Sequence, residues 1–156
     1  MLLGSILLAL AWSALSGELS LRNLIEGYLL GYVILALLAR GGVMPRNFAS
    51  RMTSAVKLAG FFLWQIVLAN IKVAADVIRP KATIRPAVIA LPLDAKSDGE
   101  ILLLSALINI TPGSVTIDLS NDRKTLYVHV MHMETPEESR REIKEGFERR
   151  VIELFE

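Results

Sequence analysis

Two apolar runs without a charged residue occupy the N-terminal part of the chain, at residues 1–17 and 27–39. Residues 1–17 lack the basic start and the small-residue cleavage site of a secretory signal peptide. As helices rising about 1.5 Å per residue, the runs would be ~25 and ~20 Å long, somewhat less than a ~30 Å hydrocarbon layer. We therefore expect a tight, membrane-embedded helical hairpin, with helices over about residues 2–17 and 21–39.

The second apolar run contains Gly27-Tyr28-Leu29-Leu30-Gly31, which places two glycines on one helix face. In lipid, small residues at this spacing allow two helix backbones to approach closely. Two interpretations stay open, because the face could pack against the first helix or contact a helix of another subunit. Gly27 and Gly31 are therefore candidate subunit-contact residues.

A third segment, at residues 50–79, is amphipathic. Its uncharged core at residues 58–71 would be about 21 Å long, and basic residues flank it on both sides, so a third crossing would place basic residues outside. We favour a helix lying in the cytoplasmic interface, and the alternative is a tilted third span whose polar stripe faces a partner. Lys72 and Asp76, four residues apart, are expected to pair. Seven polar residues fall within about 120° of the helix circumference: Arg51, Ser54, Lys57, Gln65, Lys72, Asp76 and Arg79.

Composition separates the chain into two regions, a membrane-embedded one at residues 1–81 and a cytoplasmic one at residues 82–156. The first carries 8 Lys/Arg against 3 Asp/Glu and the second 9 against 13. No basic face with interleaved aromatic residues is present, so we expect no nucleic-acid partner. Neither hairpin run contains Asp, Glu, Lys or His, so this chain has no ion relay of its own at membrane depth.

Residues 82–156 show the patterns of a small α/β domain. Strand periodicity is present at residues 87–91, 115–119 and 126–131, and helical patterns follow Ser97 and Thr135. The sequence Thr111-Pro112-Gly113 ends the first of these helices. The expected element order is β-α-β-β-α, with helices covering one face of a single sheet.

Candidate chemistry in this domain is sparse. His129 and His132 stand three residues apart, which on a strand points the two rings to opposite faces. No cysteine exists in the chain, and no carboxylate completes a ligand set beside these histidines. A glycine-rich phosphate loop and a nucleophile motif are also missing. We expect no catalytic residue, no cofactor and no metal.

With these elements in place, the whole chain resembles MrpE, a small subunit of the Mrp-type multisubunit sodium/proton antiporter. The resemblance is carried by residues 27–31, by Val77-Ile78-Arg79-Pro80-Lys81 and, most fully, by residues 108–129. The last of these include Ile108-Asn109-Ile110-Thr111-Pro112-Gly113 and the hairpin that follows.

The resemblance implies a non-catalytic accessory membrane subunit that acts in assembly, stability and coupling of a cation/proton antiporter. Its partners would be the other subunits and the lipid bilayer of the cell membrane. Two alternatives are the equivalent subunit of a membrane-bound hydrogenase-type complex and a membrane-anchored binding module for a soluble partner. Thr111, Pro112 and Gly113 are candidate subunit-contact residues, because the best-matched part contains them. We expect residues 18–22 outside, and Met1 and residues 82–156 in the cytoplasm.

Overall fold

The computed structural model of the chain describes residues 2–42, 47–78, 84–133 and 135–156. They form two compact units, Met1–Ala55 and Val56–Glu156, which divide within a long helix. The boundary that the sequence suggests between a membrane-embedded and a cytoplasmic region, between residues 81 and 82, stays a prediction.

The first unit contains a hairpin of two antiparallel helices, α1 (Leu2–Leu15) and α2 (Leu21–Arg40). Helix α1 ends two residues earlier than expected, because Gly17 adopts a left-handed conformation with φ of +75°. Ser20 starts α2 by accepting a hydrogen bond from the backbone N–H of Asn23 at 3.2 Å. The buried residues of α1 are small: Gly4, Ser5, Ala9 and Ser13.

Helix α3 (Phe48–Ile78) begins two residues before the predicted start, and the predicted end at Arg79 lies outside the described residues. Its first eight residues belong to the first unit and the rest to the second. Among the described helices, α2 and the Ser50–Ile78 part of α3 are long and apolar enough to cross a membrane, whereas α1 is shorter.

The second unit continues with β1 (Ala87–Pro92), α4 (Asp98–Ile110), β2 (Ser114–Leu119), β3 (Thr125–Val130) and α5 (Pro136–Ile143), the order expected from the sequence. The strands form an antiparallel sheet in the order β1-β3-β2. A capping box of Ser97 and Glu100 starts α4, and the Thr135 hydroxyl caps α5.

The last helix is not continuous. After α5 the chain forms a π-helical segment (Lys144–Glu148) and then α6 (Arg149–Phe155), where the sequence suggests one helix. Glu148 at the end of the π segment is 1% exposed. Its Oε1 accepts hydrogen bonds from the backbone N–H groups of Asp94 at 2.6 Å and Ala95 at 3.0 Å. The helix is thereby tied to the loop after β1.

The core of the second unit lies between one face of the sheet and the helices. Alternate residues of β1 and β3 point inward, since side chains alternate between the faces of a strand. Helix α3 adds Leu58, together with the partly buried Phe61 and Phe62. The buried apolar residues are Leu58, Ile89, Leu91, Leu104, Leu107, Ile108, Leu126, Val128, Val130, Ile143, Phe147 and Val151.

Candidate functional site: the groove beneath α3

From Val56 onward, α3 has two opposite faces of different character. One face lies against the α/β domain and carries Leu58 and Phe61 together with polar residues. The other face is exposed and, apart from Asn70, apolar, with Trp64 61% and Val77 81% exposed. The polar stripe that the sequence predicts is thus directed, in its second half, toward the domain of the same chain. The exposed apolar residues are Leu63, Trp64, Val67, Ile71, Val77 and Ile78.

Aromatic contacts hold the first half of this interface. The rings of Phe61 and Phe147 meet edge to face with centroids 5.3 Å apart. The guanidinium of Arg150 lies over the Phe61 ring, 4.0 Å from its centroid. Contacts of these two kinds each contribute on the order of 1 kcal/mol beyond area burial. Phe61 therefore helps to anchor the first half of α3 on the domain.

A polar contact holds the second half. Asp76 Oδ2 lies 2.9 Å from His132 Nε2, just beyond the end of β3. The prediction that Lys72 pairs with Asp76 is wrong. In the part of the chain that the structure describes, the Asp76 carboxylate is directed toward the domain instead. His129 lies within β3, whereas His132 lies after the end of that strand, so the two rings are not neighbours on one strand.

A groove runs between α3 and the domain, with a cavity of about 170 Å³. Its roof is the α3 segment from Gln65 to Val73, and its floor is α5 with the turn at residues 111–114. A second cavity, of about 190 Å³, continues it past Lys72 and His132 toward the exposed side chains of α5. We call both together the α3 groove. It combines an apolar wall with charged groups of both signs.

The sequence Thr111-Pro112-Gly113 forms part of the floor of the α3 groove. Thr111 is extended, with φ of −77° and ψ of 118°, as the residue before a proline prefers, and this ends α4. Its hydroxyl donates to the Leu107 carbonyl at 2.8 Å. Gly113 has φ of +91°, and its carbonyl accepts from the Met131 N–H at 2.8 Å. The turn thus ends a helix and starts β2, and its role as a subunit contact stays a prediction.

Gly27 and Gly31 lie on the face of α2 that packs against α1. A Cβ atom on Gly27 would be 2.7 Å from Trp12 Cβ, and one on Gly31 would be 2.8 Å from Leu8 Cβ. Such distances are shorter than side chains tolerate, so both positions require glycine. The close helix approach that the sequence predicts therefore occurs inside the hairpin, and a contact of these residues with another subunit stays a prediction.

A charged cluster around Lys144 of the π-helical segment lies outside the α3 groove. Lys144 Nζ is 2.5 Å from Asp94 Oδ2 and 3.3 Å from Glu148 Oε2. Burial lowers the pKa of Lys144, but the hydrogen bond to Asp94 and the charge of Glu148 outweigh it and raise the pKa overall. The described residues contain no group of three or more His, Cys, Asp or Glu side chains that could hold a metal ion.

Comparison with known proteins gives consistent matches over nearly the whole chain. A family described as "Na+/H+ ion antiporter subunit" matches residues 5–154. The E-type Na(+)/H(+) antiporter subunit of Bacillus subtilis (strain 168) is 36% identical over 151 residues, which cover 96% of this chain and 94% of that protein. The E1-type Na(+)/H(+) antiporter subunit of Staphylococcus haemolyticus (strain JCSC1435) is 37% identical over 151 residues, with the same coverage of both chains.

Two solved structures are also similar. A chain of the membrane-bound sulfane sulfur reductase, an archaeal respiratory membrane complex, has a TM-score of 0.56 at 24% identity over 95% of this chain and 94% of that chain, which shows a common fold. A chain of the Mrp complex from Dietzia sp. DQ12-45-1b has a TM-score of 0.46 at 26% identity, over 58% of this chain and 86% of that chain. The match of the family over residues 5–154 and the relatives above 30% identity decide the assignment. The chain belongs to the family of E-type Na+/H+ antiporter subunits, MrpE.

Proposed function

We propose that this chain is a non-catalytic accessory subunit of a multisubunit Na+/H+ antiporter, acting in the assembly, stability and coupling of the complex. The relatives that match nearly all of its length are named as E-type antiporter subunits. Among the described residues, the hairpin helices carry no Asp, Lys or His, and their one carboxylate, Glu26, lies in the second turn of α2 and pairs with Arg22 at 2.7 Å. An ion path through lipid needs ionisable groups at depth. Ion translocation therefore belongs to other subunits.

The proposal includes a membrane arrangement. Helices α1 and α2 cross the membrane as a hairpin, α3 lies in the cytoplasmic interface, and the domain from residue 84 onward is cytoplasmic. The main support for this arrangement is that α3 packs one face against the α/β domain and exposes an apolar face on the other side. A helix at the interface needs this division, because one side meets lipid and the other meets water or protein.

The charged surroundings of α3 argue against a third span. Phe61, in the apolar core of α3, lies 4.0 Å beneath the guanidinium of Arg150 of the domain. If that core crossed the hydrocarbon layer, Arg150 would be carried into it, at a cost of several kcal/mol. Basic residues also flank both ends of the apolar core of α3, and an interfacial helix keeps both ends on the cytoplasmic side, whereas a third span does not.

The likeness to a chain of an archaeal respiratory complex concerns the fold alone at 24% identity. The relatives with higher identity are antiporter subunits. We therefore retain the antiporter as the host complex.

Deletion and complementation test the function. Membrane vesicles from cells that lack this chain should lose sodium-dependent proton exchange, and the full-length chain should restore it. Purification of the tagged chain in mild detergent should yield the other antiporter subunits. Normal exchange in the deletion vesicles, or purification without those subunits, would contradict the proposal.

Single cysteines test the membrane arrangement, because the chain has no native cysteine. Leu19 is 80% exposed between α1 and α2, and Asn121 is exposed in the turn between β2 and β3. An impermeant thiol reagent on intact cells should label Leu19→Cys, and it should label Asn121→Cys only after permeabilisation. Labelling of both cysteines in intact cells would show that α3 is a third span. Labelling of Asn121→Cys alone would show that the whole arrangement is inverted.

A further inference from the structure

Residues 27–75 form a stretch whose charge is entirely positive. They contain no aspartate or glutamate and five basic residues: Arg40, Arg46, Arg51, Lys57 and Lys72. Residues 82–156, by contrast, carry 9 Lys/Arg against 13 Asp/Glu. An anionic surface therefore attracts the stretch that contains most of α3, and it repels the α/β domain.

Lys57 of α3 carries a charge that the protein does not neutralise. Its side chain is exposed, and among the described residues it forms neither an ion pair nor a hydrogen bond. Basic residues of the domain such as Lys144 and Arg149 pair with acidic side chains. Lys72, at the other end of the apolar core of α3, lines a cavity together with acidic side chains of α5. Lys57 is thus available to an anion from outside this chain.

Lys57 lies beside the exposed apolar face of α3. Trp64 follows it by seven residues, which is about two turns, so the two side chains lie on the same side of the helix. Trp64 is 61% exposed, and Leu63 and Ile71 continue the apolar surface with 64% and 59% exposure. Gly60 lies between Lys57 and Trp64, and nothing packs within 4 Å of its Cβ position. The surface between the lysine and the tryptophan is therefore open.

An anionic phospholipid has the chemistry that fits this surface. Its phosphate oxygens can accept hydrogen bonds from the Lys57 ammonium, while its acyl chains cover the apolar side chains nearby. Lysine keeps its ammonium at the headgroups with its stem along apolar surface. Tryptophan is enriched at the same level of a bilayer, where the ring is buried and the indole N–H can donate. A free phosphate ion would match Lys57 but would leave the apolar face in water.

We propose that Lys57 and Trp64 form a site for the headgroup of an anionic phospholipid, so that α3 selects acidic lipids in the cytoplasmic leaflet. The inference rests on the proposed function, in which the exposed face of α3 lies on lipid. One basic residue near an anionic leaflet strengthens association about fivefold. The net negative charge of residues 82–156 favours the same orientation, with α3 between the domain and the lipid.

Fluorescence quenching of the full-length chain in nanodiscs tests the site. The chain has two tryptophans, so Trp12→Phe leaves Trp64 as the reporter. The nanodiscs contain equal amounts of phosphatidylglycerol and phosphatidylcholine, with bromine on the acyl chains of one lipid or the other. We expect brominated phosphatidylglycerol to quench Trp64 at least twice as strongly as brominated phosphatidylcholine. Equal quenching by the two lipids would overturn the inference.

Substitutions of Lys57 show whether this lysine makes the selection. Lys57→Gln should abolish the preference for phosphatidylglycerol, and Lys57→Arg should keep it. Lys124→Gln is the matched control, because it removes the same charge from an exposed residue of the turn between β2 and β3, and it should keep the preference. Salt at about 1 M should weaken the preference, since the Debye length then falls to about 3 Å. A preference that persists in Lys57→Gln, or that Lys124→Gln abolishes as well, would overturn the assignment to Lys57.

The depth of the bromine separates this inference from the membrane arrangement. If α3 is interfacial, bromines close to the headgroup should quench Trp64 more than bromines close to the bilayer centre. Stronger quenching by the deep bromines would show that α3 is a third span, because Trp64 lies near the middle of its apolar core. No quenching at either depth would show that this face does not lie on lipid. Both results would contradict the proposed arrangement and this inference together, whereas shallow quenching without a lipid preference would overturn the inference alone.

Discussion

Asp76 Oδ2 of α3 lies 2.9 Å from Nε2 of His132, in the segment after β3. This contact fastens the C-terminal end of α3 to the end of the central strand. The aspartate side chain is 13% exposed and the histidine 38% exposed, so water screens the contact only in part. Together with Phe61 on Phe147, it fixes α3 to the domain at two separate points. This two-point attachment orients the exposed apolar face of the helix.

Removal of the histidine should loosen α3. In His132→Ala, Asp76 Oδ2 loses this contact, and we expect a loss of about 1 kcal/mol in the attachment of the helix. Hydrogen–deuterium exchange of residues 65–78 should become faster. Lys72→Ala is the matched control, because Lys72 does not pair with Asp76, and it should leave exchange unchanged. Faster exchange in Lys72→Ala alone would restore the pairing that the sequence suggests.

How much of the fold the sequence predicts depends on how local the interaction is. The helix starts after Ser97 and Thr135 are predicted correctly, because the capping hydrogen bond that fixes each start joins residues within one turn of helix. The strand positions are also predicted, because alternation is visible in six residues. The π-helical segment ending at Glu148 is not, since its carboxylate is held by backbone groups of the distant residues 94 and 95.

The candidate site depends on contacts between residues distant in sequence, and it is predicted less completely. Periodicity identifies the polar stripe of α3 but gives no information about the surface that it faces. For the same reason, spacing pairs Asp76 with Lys72 on one helix, while the structure pairs it with His132. The glycine spacing predicts a close helix approach, but not that α1 is the helix approached.

Glu100 should make the stability of the domain depend on acid pH. Its carboxylate accepts from the backbone N–H groups of Ser97 and Lys96, and these hydrogen bonds hold its pKa below the ordinary value of a glutamate. A lowered pKa in the folded state gives stability that is present above the unfolded value and is lost as pH falls through the folded value. Between about pH 6 and pH 3, Glu100→Gln should therefore lose less stability than the wild type.

Ser97→Ala tests the contribution of the capping hydroxyl separately from that of the Glu100 charge. The alanine removes the hydroxyl that accepts from the Glu100 N–H, which should cost about 1 kcal/mol at every pH. The acid dependence should largely remain, because the carboxylate still accepts two backbone hydrogen bonds. Denaturant unfolding of the purified chain in detergent, followed by circular dichroism across the pH range, measures both effects. Equal acid dependence in Glu100→Gln and wild type would contradict the prediction.

Gly31→Leu should separate the hairpin helices. The new side chain would begin 2.8 Å from Leu8 Cβ, so α1 and α2 must move apart, at a cost of about 1–3 kcal/mol or more. We expect a lower melting temperature of the purified chain and less chain in the membrane fraction. Gly60→Leu is the control, because nothing lies within 4 Å of a Cβ atom there. Normal hairpin stability in Gly31→Leu with loss of partner subunits would instead make this face a subunit contact.

Thr111→Val tests whether the turn at the floor of the α3 groove takes part in ion transport. The Thr111 hydroxyl donates to the Leu107 carbonyl of its own helix, so valine should cost about 1 kcal/mol of domain stability and nothing else. We expect normal assembly of the complex and normal sodium-dependent proton exchange in membrane vesicles, with subunit amounts measured by blot. Thr111→Ser keeps the hydroxyl and should restore the stability. Loss of exchange in Thr111→Val, with full assembly and with recovery in Thr111→Ser, would show that the hydroxyl acts beyond its own helix and would place the turn beside the ion route.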